Sequence, residues 1–306
     1  MNKRKNLSII TIQKPSKSLW QETWKKFKRD KMAILGVGVL LFIILSVFLL
    51  PFIYTTPIDK IDFSNSIQAP SLQHLFGTND LGQDQLARVL LGGKISITVG
   101  ITAMLVAISL GTFIGAIAGF FGGVVESLLM RLTDLFLSLP QLPVLLLIVY
   151  LFREPIKAIA GAEMGIFILI VIVIGSLNWM SVARLVRANF LKLKEMDFVE
   201  AAIALGATPK RLILIHILPN VFGIIIVAAT LSVGNAILTE STLSFLGLGF
   251  PPDIPTWGRM LYDAQNYITS APHMAIFPGL AIFLTILSIN YIGDGLRDAL
   301  DPKTKK

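Results

Sequence analysis

The sequence predicts an all-α polytopic membrane protein with six transmembrane helices. Three observations carry that prediction. The 306-residue chain is 54% hydrophobic with a mean hydropathy of +0.73, too apolar for an ordinary soluble domain. Six segments are long and apolar enough to cross a bilayer, which takes about 20 residues of helix. Lysine and arginine are distributed unevenly between those segments, as the positive-inside rule expects of a spanning chain. There is no cysteine, so a disulfide framework, a thiolate metal site and a thiol nucleophile are all excluded.

Residues 1–31 form a basic arm with ten Lys/Arg and two acidic residues, Glu22 and Asp30. The rest of the chain is balanced, so the net charge of +8 belongs to the arm. A basic arm can bind nucleic acid. Ahead of an apolar span it reads instead as a cytoplasmic retention signal, with the lipid bilayer and no nucleic acid as its partner. The basic stretch is too long for a cleavable signal peptide, and no small-residue cleavage site follows it. Trp20, Trp24 and Phe27 recur at i, i+4 and i+7 among lysines and arginines, which predicts a helix lying in the membrane interface. A calmodulin-like partner site is the other reading of that pattern.

The first span is 32–53, followed by an extracytoplasmic segment at 54–94. A main transmembrane domain covers 95–295 and a cytoplasmic tail covers 296–306. The other spans are 95–121, 135–152, 165–183, 221–238 and 274–292. With the N-terminus inside, 21 Lys/Arg fall on the inner side and six outside, so both termini are expected in the cytoplasm of a bacterial cell. In the second span Gly111, Gly115 and Gly119 recur every four residues, a ridge that lets another helix approach closely. Pore lining is the alternative role. Pro140 and Pro143 interrupt the third span and free backbone carbonyls that lipid cannot satisfy. That segment must either line water on a translocation path or be a kink packed in protein.

Between the fourth and fifth spans lies a cytoplasmic loop, residues 198–220, reading FVEAAIALGATPKRLILIHILPN. A first short helix is expected to stop at Gly206, which is free to take the left-handed conformation. Thr208 should cap a second helix with Pro209 in its first position, where a missing N–H costs nothing. Pro219 should mark the entry into the fifth span, leaving helix–turn–helix outside the bilayer. Ala201 and Ala202 should keep one face of the first helix shallow enough to sit in a partner's groove, and Glu200 offers that partner a carboxylate. An ordinary loop rich in helix formers is the alternative.

Glu200, Ala201, Ala202, Gly206, Leu218 and Pro219 fall at the spacing of the EAA loop, by which the membrane subunit of an ABC importer grips its ATPase. His216 stands where the general form has isoleucine, but His-Ile-Leu-Pro-Asn is usual in the dipeptide/oligopeptide branch. The rest of the chain resembles the C-type permease subunit of dipeptide/oligopeptide/nickel ABC importers. The matching stretches are HLFGTNDLGQD (74–84), Met130-Arg131, Trp179 with Ala183-Arg184, LSFLGLG (243–249), Trp257-Gly258 and GDGLRDALDP (293–302). The family commonly has arginine in place of Gln83 and of Lys94. The resemblance implies a type I ABC importer permease fold with the EAA loop as coupling element. It also implies the assembly: a homologous second permease completing a heterodimer, two ATPase domains binding Mg-ATP, and an extracytoplasmic substrate-binding protein. The implied cargo is dipeptides or oligopeptides, with nickel or a metal chelate as the alternative.

The residues support that division of labour. No G-x-x-x-x-G-K-[ST] occurs, since Gly92-Gly93-Lys94 lacks the earlier glycine and continues into Ile95, so ATP must be bound elsewhere. No catalytic set, cofactor site or HExxH-type metal pair is found, and the chain reads as a non-enzymatic subunit. A secondary transporter or channel is the competing class, but ion-driven carriers usually need buried ionisable residues. Glu240, at the outer end of the fifth span, is the main candidate. It reads as a paired or capping group, with proton relay as the alternative.

Overall fold

The computed structural model describes residues 19–301, and the regular elements among them are all helical. In chain order they are α1 (Leu19–Phe27), α2 (Lys31–Leu49), α3 (Gln85–Phe121), α4 (Gly123–Ser138), α5 (Gln141–Ala160) and α6 (Ala162–Ser176). α7 (Trp179–Lys194), α8 (Asp197–Ala204), α9 (Pro209–Phe245), α10 (Trp257–Ala264) and α11 (His273–Leu300) follow. Among the described residues five helical stretches are long and apolar enough to cross a membrane, and the bent pair α4–α5 makes a sixth when counted as one span.

The spans outrun the apolar segments that announce them. α3 begins at Gln85, ten residues before the run at 95. Asp84 caps it by accepting from Ala87 N at 2.9 Å. Its first turns bury against α10, where Trp257 Nε1 donates to the Val89 carbonyl at 3.0 Å, so they need no lipid-facing hydrophobicity. The third span breaks at Pro140, where α4 and α5 meet at 86°. Pro143 sits in the first turn of α5 and breaks nothing, because that turn's N–H groups have no intrahelical acceptor. The fourth span, Ala162–Lys194, continues without a sharp bend but leaves helical form for two residues at Leu177-Asn178, between α6 and α7. The two interruptions face each other: Gln141 Nε2 donates to Asn178 Oδ1 at 3.2 Å, and Asn178 Nδ2 donates back to the Ile174 carbonyl at 2.8 Å. One backbone carbonyl at the α6–α7 turn, that of Ile174, is thus met by an amide side chain.

The glycine ridge of α3 packs on α7. A Cβ at Gly111 would stand 2.6 Å from Val182 Cβ, and one at Gly115 would stand 2.5 Å from the Ala183 carbonyl oxygen. These are distances no side chain tolerates, so close helix packing is the role of the ridge. Residues 54–84 fold into a small cap over one end of the bundle. Asp84 accepts from Tyr54 Oη at 2.8 Å and pairs with His74 Nδ1 at 2.9 Å, while His273 Nε2 lies 3.0 Å from the Thr78 carbonyl. The cap is therefore tied to the ends of α2, α3 and α11.

In the arm, Phe27 is buried against α11, whereas Trp24 is exposed and stacks on Phe27 at 5.8 Å. The face expected to lie wholly on lipid is thus divided between protein and surroundings. The Trp20 side chain lies outside the described residues, as do 1–18 and 302–306.

Candidate functional site

α8 forms as an eight-residue helix because its end is chemically specified. Gly206 takes φ +79°, Gly206 N donates to the Ile203 carbonyl at 2.9 Å, and Ala207 N donates to the Ala202 carbonyl at 3.0 Å. That pair of bonds is the Schellman closure, and only the left-handed residue permits it cheaply. Thr208 Oγ1 then accepts from Arg211 N at 3.4 Å, and Pro209 opens α9. This much follows the sequence reading.

Two expectations are corrected. Pro219 does not separate a short second helix from the fifth span: α9 runs unbroken for 37 residues from Pro209 to Phe245. A π-helical turn at Leu212–Ile217 precedes the proline, with Leu218 N donating to the Ile213 carbonyl, and the wider turn makes room for the ring. Just after the ring, Asn220 Nδ2 donates back to the His216 carbonyl at 2.6 Å. His216 itself is half-buried on that turn, and Leu218 packs at its inner edge. The second correction concerns the two alanines. Ala201 faces outward, but Ala202 is buried with Val199 on the inner face of α8. Residues 199 and 202 are one turn apart and cannot face opposite ways.

The outer face of α8 is therefore Asp197, Glu200, Ala201 and Ala204, flanked by exposed Phe198 and Ile203 and followed by the capping residue Leu205. Leu205 is 89% exposed and Phe198 42%. The Glu200 carboxylate carries no hydrogen bond within the described residues and lies in the first turn, where the helix dipole favours negative charge. Sequence reasoning passed over Phe198 and Leu205. An apolar residue next to a glycine helix stop was the available signal. The inner face of α8 inserts into a core shared by Phe120 of α3, Val186 and Phe190 of α7, and Leu212, Ile217 and Val221 of α9. At the same end, Arg187 pairs with Glu126 and Arg184 with Asp134, tying α7 to α4. α8 is thus a short exposed lever set rigidly into three spans.

A groove of about 640 Å³ runs along the other side of α9, between α7 and the end of α11. Its polar lining comes from Asn178, Ser181, Ser232 and Asn235, with Arg297 and Asp301 at one end. Ser232 and Asn235 are spaced i, i+3 on one face of α9, and Asn178, at the cap of α7, precedes Ser181 by the same interval. Those polar positions inside apolar segments were legible, yet periodicity alone could not join two helices.

Glu240 is fully buried where α3, α9 and α10 meet. Its carboxylate accepts from Ser96 Oγ at 3.0 Å and Ser244 Oγ at 2.7 Å, and Ser96 Oγ in turn accepts from Trp257 N at 3.3 Å. A carboxyl held by hydroxyls on its own and neighbouring helices matches the pairing reading. Gln83 is buried too, its Oε1 accepting from Asn79 Nδ2 and Arg88 Nη1, both at 2.8 Å. An arginine at 83 could accept neither bond and would crowd Arg88. Nearby, burial pushes the Asp263 carboxyl up, against the pull of Arg259 and Arg88. Lys94 is exposed. Among the described residues no group of three or more His, Asp or Glu side chains is placed to hold a metal ion.

Residues 111–306 match the family described as binding-protein-dependent transport system inner membrane component, and residues 18–70 match the N-terminal TM domain of oligopeptide transport permease C. The oligopeptide transport system permease protein OppC of Haemophilus influenzae is 39% identical over 299 residues, covering 97% of this chain and 93% of that protein. The dipeptide transport system permease protein DppC of Alkalihalophilus pseudofirmus is 40% identical over 288 residues, covering 94% and 91%. The glutathione transport system permease protein GsiD of Escherichia coli is 38% identical over 305 residues, covering 98% and 96%. Among solved structures, an inward-facing conformation of the MetNI methionine ABC transporter aligns with a TM-score of 0.52. It covers 69% of this chain and 94% of that one at 18% identity, a likeness of fold.

Proposed function

The chain belongs to the family of binding-protein-dependent transport system inner membrane components and is a permease subunit of an ATP-driven importer; on that premise we propose that its cargo is peptide and that α8 is the coupling helix. The observation that supports this reading is that one rigid element joins the exposed lever to the polar groove. α9 starts beside Gly206, carries Leu212, Ile217 and Val221 in the core beneath α8, and further along carries Ser232 and Asn235 on the groove. A push on Phe198 and Leu205 is transmitted through packed side chains to the groove wall, because close-packed interiors shift as units.

In this reading two ATPase domains bind Mg-ATP on the cytoplasmic side, and one of them receives the outer face of α8 in a groove. The homologous second permease closes the groove of Asn178, Ser181, Ser232 and Asn235 into a conduit. Neutral amides and hydroxyls there offer donors and acceptors to a peptide backbone, whose repeating N–H and C=O groups would otherwise lose their hydrogen bonds to water on entry. An extracytoplasmic binding protein selects the cargo. Both termini lie in the cytoplasm.

The test is reconstitution in proteoliposomes with partner permease, ATPases and binding protein. Peptide uptake should require ATP, and this chain alone should neither hydrolyse ATP nor follow an ion gradient. Ion-driven uptake without any ATPase would refute the reading. ATP-driven uptake of a metal chelate but not of peptides would refute the cargo alone.

A further inference from the structure

We propose that the junction of α1, α2 and α11 binds the headgroup of an anionic phospholipid in the cytoplasmic leaflet. The junction encloses a cleft of about 390 Å³, with Lys26, Arg29 and Lys31 on one side and Gly295, Asp298 and Ala299 on the other. The cleft is built into the fold. Phe27 is 4% exposed, and a Cβ at Gly295 would lie 3.3 Å from Phe27 Cε2, so α1 and α2 are seated closely on α11. Lys26 Nζ donates to the Asp301 carbonyl at 3.2 Å and holds the end of α1 in place.

The charges in the cleft do not cancel. Asp30 is occupied as the cap of α2, accepting from Met32 N at 2.9 Å and Ala33 N at 3.2 Å. Asp298 makes no ion pair among the described residues, and neither Arg29 nor Lys31 finds an acidic partner. Three cations, Lys26, Arg29 and Lys31, therefore face two carboxylates, Asp30 and Asp298, and leave one positive charge in excess. A phosphodiester suits the vacant donors, since a guanidinium presents a planar fork matched to phosphate oxygens.

The surroundings point to lipid as the source of that phosphate. Lys31 opens α2, and the residues after it turn outward: Met32 and Leu35 are each 56% exposed and Phe42 is 71% exposed. In a spanning helix those side chains meet acyl chains, which places the cleft at headgroup depth. Trp24 is 56% exposed on the adjoining turn with Lys28 Nζ 5.2 Å from its ring centroid, an amphipathic pairing suited to the interface. A free phosphate would use the cations but leave uncovered Met32 at the edge of the cleft and the exposed apolar residues of α2 beyond it.

The experiment places the complete transporter in phosphatidylcholine nanodiscs doped with photoreactive phosphatidylglycerol or, separately, photoreactive phosphatidylcholine, and maps cross-links by mass spectrometry. The phosphatidylglycerol probe should mark residues 26–32 and 295–299 in preference to the neutral probe. Arg29→Gln with Lys31→Gln should lower that labelling about tenfold or more, and Arg29→Lys with Lys31→Arg should preserve it. Co-purification with the ATPases verifies that both variants fold. If the glutamine variant fails to assemble, raising salt on the wild-type complex should depress phosphatidylglycerol labelling selectively. Equal labelling by the two probes, phosphatidylglycerol labelling indifferent to substitution or salt, or cross-linking of the cleft to a protein subunit instead of lipid overturns the proposal.

Discussion

Gly119 of α3 lies directly against Phe190 of α7: a Cβ on the glycine would stand 2.5 Å from Phe190 Cβ. With Gly115 and Gly111 it makes a contact with α7 that has no room for side chains. Gly115→Leu should therefore force the helices apart, destabilising the chain by about 3 kcal/mol or more, at or beyond the upper end of overpacking penalties. The matched control is Gly38→Leu on α2, where nothing lies within 4 Å of a built Cβ. Thermal unfolding in detergent should separate the two sharply. Equal melting temperatures would show that the ridge is not a packing surface.

The inner and outer faces of α8 make opposite predictions. Leu205→Asp should leave folding and membrane level unchanged, because the side chain is 89% exposed. It should weaken ATPase co-purification about tenfold or more, the equivalent of withdrawing one leucine from an apolar interface. Ala202→Glu should instead lower the amount of folded permease, since it places a carboxylate without a partner in the shared core at about 3 kcal/mol or more. If Ala202→Glu folds normally and loses only the ATPase, the inward assignment of Ala202 is wrong.

Gly206 separates backbone strain from steric clash. A Cβ there would meet nothing within 4 Å, yet φ is +79°. Substitution should thus cost about 1–2 kcal/mol from conformation alone. Gly206→Asn should be milder than Gly206→Val, because Asn tolerates the left-handed region and β-branched residues do not. Transport and ATPase co-purification should fall in that order while membrane insertion is spared.

The parts of the site that were legible in sequence are those set by local chemistry. Gly206, Thr208 and Pro209 act on neighbours within a turn, so the end of α8 and the start of α9 could be read directly. Pro219 misled because its effect depends on where the freed carbonyls go. A π turn just before the ring accommodates it within one continuous helix, and that turn is not visible in spacing. Ala202 misled for a different reason. A helix with apolar residues on several sides does not declare which side is core until the helices beneath it are placed, and these come from residues 120, 186 and 190. The early start of α3 was hidden because its first turns bury against protein and so lack the apolar run that lipid imposes.

Orientation can be tested without removing any native thiol, since the chain contains no cysteine. Single cysteines at Ser66, in the cap, and at Thr208, beside α8, should report opposite faces. An impermeant thiol reagent on intact cells should label position 66 alone, and permeabilisation should expose position 208. Labelling of 208 but not 66 in intact cells would invert the topology and with it the assignment of α8 to the ATPase side.

The groove makes the most direct claim on transport itself. Ser232 and Asn235 project from the same α9 that carries the joint with α8, so a variant there can leave coupling intact while changing the conduit. Ser232→Leu and Asn235→Leu remove donors and acceptors without adding charge, and Asn235 is exposed, so folding should hold. Each lost hydrogen bond to a desolvating peptide backbone should weaken passage by about 1–3 kcal/mol, or roughly five- to 150-fold in rate. ATPase co-purification and ATP hydrolysis stimulated by the binding protein should stay near wild type, because the α8 joint is untouched. Ser232→Thr keeps the hydroxyl and should retain most uptake. A fall in uptake matched by an equal fall in ATPase association would place these residues in the coupling machinery instead. Unchanged uptake in the double variant would remove the groove from the cargo's route.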